Sequence, residues 1–359
     1  MKNIQKIGSG QLMIMLISSR VAVALTYSFD VLKQDMGNIA WVDAIIFIPV
    51  LLILAIPAFY MFKSTNMSIL DSAYAVSKPL GTGVGIILAL FCLSTTIVYV
   101  SRFNIFMTTT MQTEQSAIFY PALMIIPACY AAIKGIEALA RTSGIISIIG
   151  IFSLLFILIV VFRKFDMANV LSPTYYDLSS FWDMMTVLIS NTVEIIILLI
   201  MFPKISGNVK KSYVGFSIIS CSLMFIIFFT TVATLGSFAS HQKFPFYSVA
   251  NIAEIGELKQ LSVLHASTWI LGIFIKCSLF LYLFYNVLSS IIPEKFRKLS
   301  TVLASLVIFI TSSMLSSEYI SSRMLFIGNA SFYLIIFLSV ILPMIITILY
   351  NIKKKKSMR

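Results

Sequence analysis

Charged residues are scarce in this sequence. Asp, Glu, Lys and Arg make up 11% of its 359 residues, whereas hydrophobic residues make up 59%. In an ordinary soluble domain about a quarter of the residues are charged. The mean hydropathy of +0.98 agrees with this contrast. The composition therefore excludes a soluble globular domain and indicates a membrane protein with several spans.

Histidine and cysteine are also rare. The two histidines, His241 and His265, show no metal-ligand spacing, and we expect both to be solvated at a membrane interface. The four cysteines stand singly in apolar runs, which is typical of small buried hydrophobic residues and supports no disulfide framework. No nucleophile motif accompanies them. We expect no enzymatic activity, no cofactor and no metal.

Apolar windows predict an all-α polytopic protein with about ten transmembrane helices. The ten spans cover approximately residues 8–29, 44–62, 80–101, 115–133, 142–162, 184–202, 213–238, 266–292, 300–317 and 324–352. Ten spans form two sets of five. We therefore expect one transmembrane domain over residues 1–359, with repeat one at about 8–162, repeat two at about 184–352 and a basic tail at 353–359.

The basic residues predict the orientation. Ten spans place both termini on one side, and that side holds 17 of the 26 Lys and Arg residues, against seven on the other. By the positive-inside rule we predict that both termini are cytoplasmic. The net charge of +12 then reflects membrane topology, and nucleic acid is not an expected partner.

Four ionisable residues fall within or at the end of predicted spans: Arg20, Arg102, Glu194 and Lys276. A charge in hydrocarbon costs about 3 kcal/mol or more, so such residues normally face a bundle interior or a water-filled cavity. For Arg102, near an interface, pairing or snorkelling is the favoured interpretation. For Glu194 and Lys276, a functional role and a structural ion pair both stay open.

The first span of each repeat carries a polar interruption. Span one contains "ISSRVAV" at residues 17–23, and span six contains "SNTVE" at residues 190–194. Inverted-repeat transporters bind their ligands where these two helices are broken. A break is tolerated only beside a cavity or polar partners. We therefore predict that helices 1 and 6 are broken, with close helix packing as the alternative explanation of the polar residues.

Two segments outside the spans predict short helices at the membrane surface. Residues 66–81 mix apolar and polar residues before and around Pro79, which favours an interfacial helix on the cytoplasmic side. In the outer loop, Val249, Ile252, Ile255 and Leu258 recur at every third position. This spacing predicts an amphipathic helix over the outer mouth.

Several blocks of the sequence resemble the B-subunits of bacterial spore germinant receptors (GerAB-like proteins). The connection between spans four and five, "YAAIKGIEALARTSGI" at 130–145, resembles the signature loop of that family. Further similar blocks follow in the same order: "GSGQLMIML" (8–16), "SRF" (101–103), "VEIIILLIMFP" (193–203) and "WILGIFIKCSLFLY" (269–282). The resemblance covers nearly the full length.

The resemblance implies an amino acid/polyamine/organocation (APC) transporter-like fold, that is, a LeuT-like 5+5 inverted repeat with a central pocket between spans one, three, six and eight. It implies a sensor of a small germinant, often an amino acid, that acts with A and C subunits in the spore inner membrane. The alternatives are an amino-acid permease of the same fold in the cell membrane, with or without ion coupling, and a structural subunit with a degenerate pocket.

The resemblance also assigns candidate pocket residues. Carried onto this sequence, the ligand-binding candidates are Ser18, Ser19, Ala22, Thr96, Tyr99, Asn191, Glu194, Ser278 and Tyr282. The chain departs from relatives at Lys259 and Gln260, where many have a Glu-Arg pair, and at Arg20, where relatives are commonly apolar. We expect Glu194 to pair with Lys276 or Arg20, or to meet the ammonium group of an amino-acid ligand.

Overall fold

Helices make up nearly all of the structure, a computed structural model that describes residues 6–27, 39–110, 118–170, 178–255, 258–259, 261–316 and 329–357. In chain order the α-helices are α1 (Ser9–Ala24), α2 (Ala40–Thr65), α3 (Ile69–Val76), α4 (Lys78–Thr110), α5 (Phe119–Lys134), α6 (Ile136–Val161), α7 (Leu178–Ser190), α8 (Glu194–Met201), α9 (Val209–Leu235), α10 (Pro245–Ile252), α11 (Ser262–Leu288), α12 (Glu294–Ser316), α13 (Asn329–Ile336) and α14 (Leu342–Ser357). A π-helical turn, Phe337–Ile341, joins α13 to α14.

A helix lies at each of the ten predicted spans, in the predicted order. Within the described residues, eight helical segments are long and apolar enough to cross a membrane, and α1 and α5 are shorter apolar helices. Hydropathy therefore located the helices correctly, although it misjudged some ends. For example, α4 continues to Thr110, well past the predicted end at residue 101.

Two pairs of very short strands tie loops together. Strand β1 (Ile7–Gly8) pairs in parallel with β2 (Ile205–Ser206), so the N-terminal segment lies beside the end of span six. Strands β3 (Glu254–Ile255) and β4 (Leu258–Lys259) form an antiparallel pair in the loop after α10. The amphipathic helix predicted for this loop is thus shorter than expected. Extended backbone at Ala253 ends it, with ψ at 121°.

The predicted helix between spans two and three is α3. Its N-terminal residue Ser68 caps the helix, because its Oγ accepts a hydrogen bond from the backbone N–H of Asp71 at 3.1 Å. The same hydroxyl donates to the Asp71 carboxylate at 2.6 Å. Serine and aspartate at this spacing are a common signal for a helix start.

Span eight, which is helix α11, is the central packing element of the bundle. α11 packs along α4, and α1 packs against α6, α9 and α11. The contact between α1 and α11 is close at Gly272, where an added Cβ atom would lie only 2.8 Å from the Cβ atom of Ala22. Glycine is therefore required there, and the close approach brings the polar residues of spans one and eight together.

The break predicted in span one is absent. α1 runs without interruption through Ile17–Val23 and ends at Ala24. The Ser18 hydroxyl donates to the Ile14 carbonyl of its own helix at 3.0 Å, so the serine is satisfied inside a regular helix. The prediction was wrong because the polar residues of span one bond to their own helix and to neighbours, and no backbone group has to be freed.

The break predicted in span six is confirmed. α7 ends at Ser190 and α8 begins at Glu194, so that residues 191–193 interrupt the helix. Within the interruption the N–H of Thr192 donates to the Ile189 carbonyl at 2.8 Å, three residues back instead of four. The side chains of the break supply further bonds, since the Asn191 amide donates to the Val187 carbonyl and the Thr192 hydroxyl donates to the Leu188 carbonyl. The carbonyl of Asn191, inside the interruption, is bonded by another helix.

Candidate functional site

The guanidinium of Arg20 donates hydrogen bonds to acceptors at the break in span six. Nη1 donates to the carbonyl of Asn191 at 3.0 Å and to Oγ1 of Thr192 at 3.2 Å. Nη2 donates to the carbonyl of Leu188 at 3.3 Å. The C-terminal end of a helix carries partial negative charge, so a cation is favourable there. The guanidinium also stacks on the ring of Phe47 at 5.0 Å from its centroid.

Glu194 occupies the opposite side of the same break. It is the first residue of α8, where the partial positive charge of the helix N-terminus favours a carboxylate. Its Oε1 accepts hydrogen bonds from Ser19 Oγ at 2.9 Å and from Lys276 Nζ at 3.2 Å. Its Oε2 lies 3.8 Å from Arg20 Nη1. The expectation that Glu194 pairs with Lys276 or Arg20 is confirmed for both.

Lys276 connects four spans. Its ammonium donates to the backbone carbonyl of Ser19 at 3.2 Å in addition to Glu194. It also lies over the ring of Tyr99 at 4.5 Å from the centroid. We call the five side chains concerned the buried charge cluster: Ser19, Arg20, Tyr99, Glu194 and Lys276. Each is at most 2% exposed. Two basic groups thus share one carboxylate in the buried interior of the bundle.

A cavity lies beside the break and next to this cluster. It measures about 250 Å³, lies between α4, the break in span six and α13, and is called the break cavity below. Its hydrogen-bonding lining residues are Ser94, Thr95, Tyr99, Ser190, Asn191 and Ser331. Asn191 is oriented by its own amide, which donates to the Val187 carbonyl at 2.9 Å and to the Tyr27 hydroxyl at 3.4 Å. The break in span six therefore opens onto space for a small solute.

Other predicted pocket residues of spans one and three lie away from the break. Ser18 and Ala22 line a separate cavity between α1, α6 and α11, and Ser18 Oγ lies 2.5 Å from Ser147 Oγ. Successive side chains of a helix are about 100° apart around its axis. Ser18 and Arg20, two residues apart, therefore point about 200° apart and lie on different faces of α1. Thr96 is buried and donates to the Cys92 carbonyl of its own helix at 2.8 Å.

The two polar candidates of span eight are also separated from the cluster. Ser278 follows Lys276 by two residues, which places it about 200° away around α11. Tyr282 lies nearer the end of α11, where its hydroxyl accepts a hydrogen bond from Lys204 Nζ at 3.0 Å. Arg102 is a half-buried residue of α4. Ligand contacts by Ser278 and Tyr282 stay predictions that no contact in this cluster supports.

The expectation of solvated histidines was wrong for one of them. His241 is exposed, but His265 is buried, with Nε2 at 3.1 Å from the carbonyl of Leu25. Its ring packs against Phe246 and Tyr247 of α10. Sequence reasoning missed this because burial of His265 depends on α10 folding over it. Sequence reasoning also missed the contact of Phe47 with Arg20, because Phe47 is one of several aromatic residues in span two and no pattern singles it out.

Comparison with known proteins decides the family. The profile of a family described as spore germination protein (Spore_permease) matches residues 6–320. This chain belongs to that family. The resemblance of the sequence blocks to that family is thereby confirmed, and the chain is a multi-pass membrane protein of receptor or permease type. No curated protein matches it significantly.

A solved structure supports the fold of this chain. It is the substrate-bound, outward-open state of a Na⁺-coupled sialic acid symporter, with a TM-score of 0.64 and 14% sequence identity. The match covers 95% of this chain and 80% of the symporter chain. At that identity the likeness establishes the LeuT-like fold alone, as predicted. Among the described residues, no group of three His, Cys, Asp or Glu side chains is positioned to hold a metal ion.

Proposed function

We propose that this protein is the B-subunit of a spore germinant receptor, which binds a small nutrient in the break cavity and signals through A and C subunits in the spore inner membrane. The supporting observation is the break in span six, where Asn191 and Tyr99 line a cavity directly beside a buried cluster of two cations and one carboxylate. Broken helices in this fold present backbone groups and helix ends to ligands.

The chemistry beside the cavity favours a small polar ligand such as an amino acid. Thr95, Tyr99 and Asn191 offer hydrogen bonds, while Phe91, Val98 and Leu334 supply apolar walls. A zwitterion carries both charge signs, and the neighbouring cluster also contains both signs at short range. Ligand binding then stabilises one arrangement of the break over another, and partner subunits respond to that shift.

A thermal-shift screen tests the proposal. The purified full-length protein is heated with each of the twenty amino acids, sugars and nucleosides, because a ligand that binds only the folded state raises the apparent unfolding temperature. We expect one compound to raise this temperature, and Asn191→Ala and Tyr99→Phe to abolish or strongly weaken the effect. Tyr60→Phe is the matched control, since Tyr60 is 58% exposed and outside the cavity. Equal responses of Tyr99→Phe, Asn191→Ala and wild type would place the ligand elsewhere.

An amino-acid permease is the alternative function, because the chain shares its fold with a symporter and both functions are compatible with that fold. Fold alone does not distinguish the two functions. Reconstitution of the protein into liposomes separates them, because a permease accumulates or exchanges the radiolabelled ligand across the bilayer. A sensor binds the same ligand without flux.

A further inference from the structure

A third cavity lies on the face of the protein that carries strand β1. It measures about 640 Å³ and is bounded by α3, the turn between α5 and α6, the end of span six, and the facing ends of α11 and α12. We call it the basal cavity. Its charged lining residues are Asp71, Lys134, Lys204, Glu294 and Arg297. Lys204 follows Glu194 by about ten residues, or about 15 Å of helix, so this cavity is separate from the break cavity.

The ammonium group of Lys204 has one hydrogen-bond donor left. Nζ donates to the hydroxyl of Tyr282 at 3.0 Å and to Oδ1 of Asn286, and a lysine ammonium has three N–H groups. Both acceptors are neutral. In the part of the chain that the structure describes, no carboxylate oxygen forms an ion pair with this nitrogen within 4.0 Å. The half-buried ammonium therefore faces the cavity with no carboxylate in direct contact, and Asp71 of the same cavity attracts it only from a longer distance.

Arg297 adds a second donor to the same cavity. Its Nε is buried and has no hydrogen-bond partner among the described residues. Its Nη2 reaches Oε2 of Glu294 only at 4.0 Å, and the Glu294 side chain is 60% exposed. The other acidic residue, Asp71, accepts a hydrogen bond from Ser68 at 2.6 Å. Glu294 reaches Arg297 only at the distance limit of an ion pair, and neither acidic residue accepts a hydrogen bond from Lys204 Nζ or Arg297 Nε, so both groups keep an N–H for an anion.

We propose that the basal cavity binds a phosphate-type oxyanion through Lys204 and Arg297. Ammonium and guanidinium groups form short charge-assisted hydrogen bonds with phosphate oxygens. Such an anion satisfies the remaining N–H of Lys204 and the Nε–H of Arg297 together. The volume is that of a small-molecule site. The phosphate belongs either to a soluble small molecule or to an anionic lipid headgroup at the membrane surface.

The test uses two probes with the purified full-length protein. Inorganic phosphate is titrated at constant ionic strength in a neutral detergent, and thermal stability is compared in phosphatidylcholine nanodiscs with and without phosphatidylglycerol. We expect saturable phosphate binding, or stabilisation that requires phosphatidylglycerol. Lys204→Gln and Arg297→Gln should each weaken that response by about tenfold or more, because each removes a charge-assisted hydrogen bond.

Lys298→Gln is the matched control, since Lys298 is exposed and outside the cavity lining. It should respond as the wild type does. Phosphate binding in detergent identifies a soluble source, and a response to phosphatidylglycerol alone identifies a headgroup. The proposal is overturned if the wild type responds to neither probe, or if the Lys204 and Arg297 variants, shown to be folded, respond as the wild type does. Either failure leaves the ligand screen of the break cavity unaffected.

Discussion

At the residue scale, Arg20 donates hydrogen bonds to acceptors at the break in span six. Three acceptors near the end of α7 are within hydrogen-bond distance of its guanidinium: the carbonyls of Leu188 and Asn191 and the hydroxyl of Thr192. In apolar surroundings each would be costly to leave without a partner. The Leu188 carbonyl also accepts a hydrogen bond from the Thr192 hydroxyl, so the carbonyl of Asn191 is the acceptor that depends most on Arg20.

We expect the planar shape of the Arg20 guanidinium, with its several N–H donors, to contribute to stability as much as its charge does. Arg20→Lys keeps the charge but cannot reach all three acceptors at once. We expect it to lower the free energy of unfolding by about 1–3 kcal/mol, the cost of an unsatisfied buried polar group. Thermal unfolding in detergent measures this. Arg141→Lys, at an exposed position, is the control and should change nothing. Identical unfolding of Arg20→Lys and wild type would contradict the assigned role.

Glu194 should be the most sensitive position of the cluster. Glu194→Gln leaves the buried cations Arg20 and Lys276 without the carboxylate they share. Removing one partner of a buried pair costs about 3–5 kcal/mol. We expect a large loss of thermal stability, and partial recovery in the double variant Glu194→Gln with Lys276→Met, which also removes one uncompensated cation. If the double variant is no more stable than Glu194→Gln alone, Lys276 and Glu194 are not coupled.

At the element scale, the guanidinium of Arg20 occupies the break in span six as a positively charged group of the protein itself. Unwound carbonyls in this fold commonly coordinate a coupling ion. Here the guanidinium of Arg20 already binds the carbonyls of Leu188 and Asn191. We therefore expect ligand-induced stabilisation to be the same in sodium chloride and in choline chloride. The measurement is the thermal shift with the ligand found in the screen. A loss of affinity of tenfold or more without sodium would contradict this expectation.

The two interrupted spans show what sequence patterns can and cannot predict. Polar residues in the middle of an apolar helix marked both spans one and six, and only span six is broken. The pattern indicates that the polar residues have polar partners nearby, because hydrocarbon cannot form hydrogen bonds with these residues. It does not report whether those partners belong to the same helix, as for Ser18, or to another helix, as for Arg20.

At the scale of the whole molecule, hydropathy predicted the helices because apolar length is a local property. The cluster was predicted in part: charges in hydrocarbon must find partners, so Glu194, Arg20 and Lys276 could be grouped in advance. The buried state of His265 and the contact of Tyr282 with Lys204 could not be predicted. Both depend on segments that are distant in sequence and meet only in the fold.

Contacts between distant segments fix which ends of the molecule share a side. Strand β1 pairs with β2 after span six, and Lys353 of the tail donates to the carbonyls of Ala75 and Val76, both at 2.9 Å. Lys164, after span five, donates to the carbonyl of Ile252 on the other side. This arrangement agrees with the prediction of an even number of spans, which places both termini on the side that holds most of the basic residues.

That side should be the cytoplasmic one, because Lys and Arg residues are retained inside during membrane insertion. Cysteine labelling with a membrane-impermeant maleimide on intact cells tests this. We expect Ser237→Cys to react in intact cells and Lys355→Cys to react only after the membrane is permeabilised, since both positions are exposed but lie on opposite sides. Three of the four native cysteines, Cys92, Cys221 and Cys277, are buried and Cys129 is partly exposed, so the unmodified protein measures the background labelling of Cys129. Labelling of Lys355→Cys in intact cells would reverse the orientation and place the basal cavity outside the cell membrane.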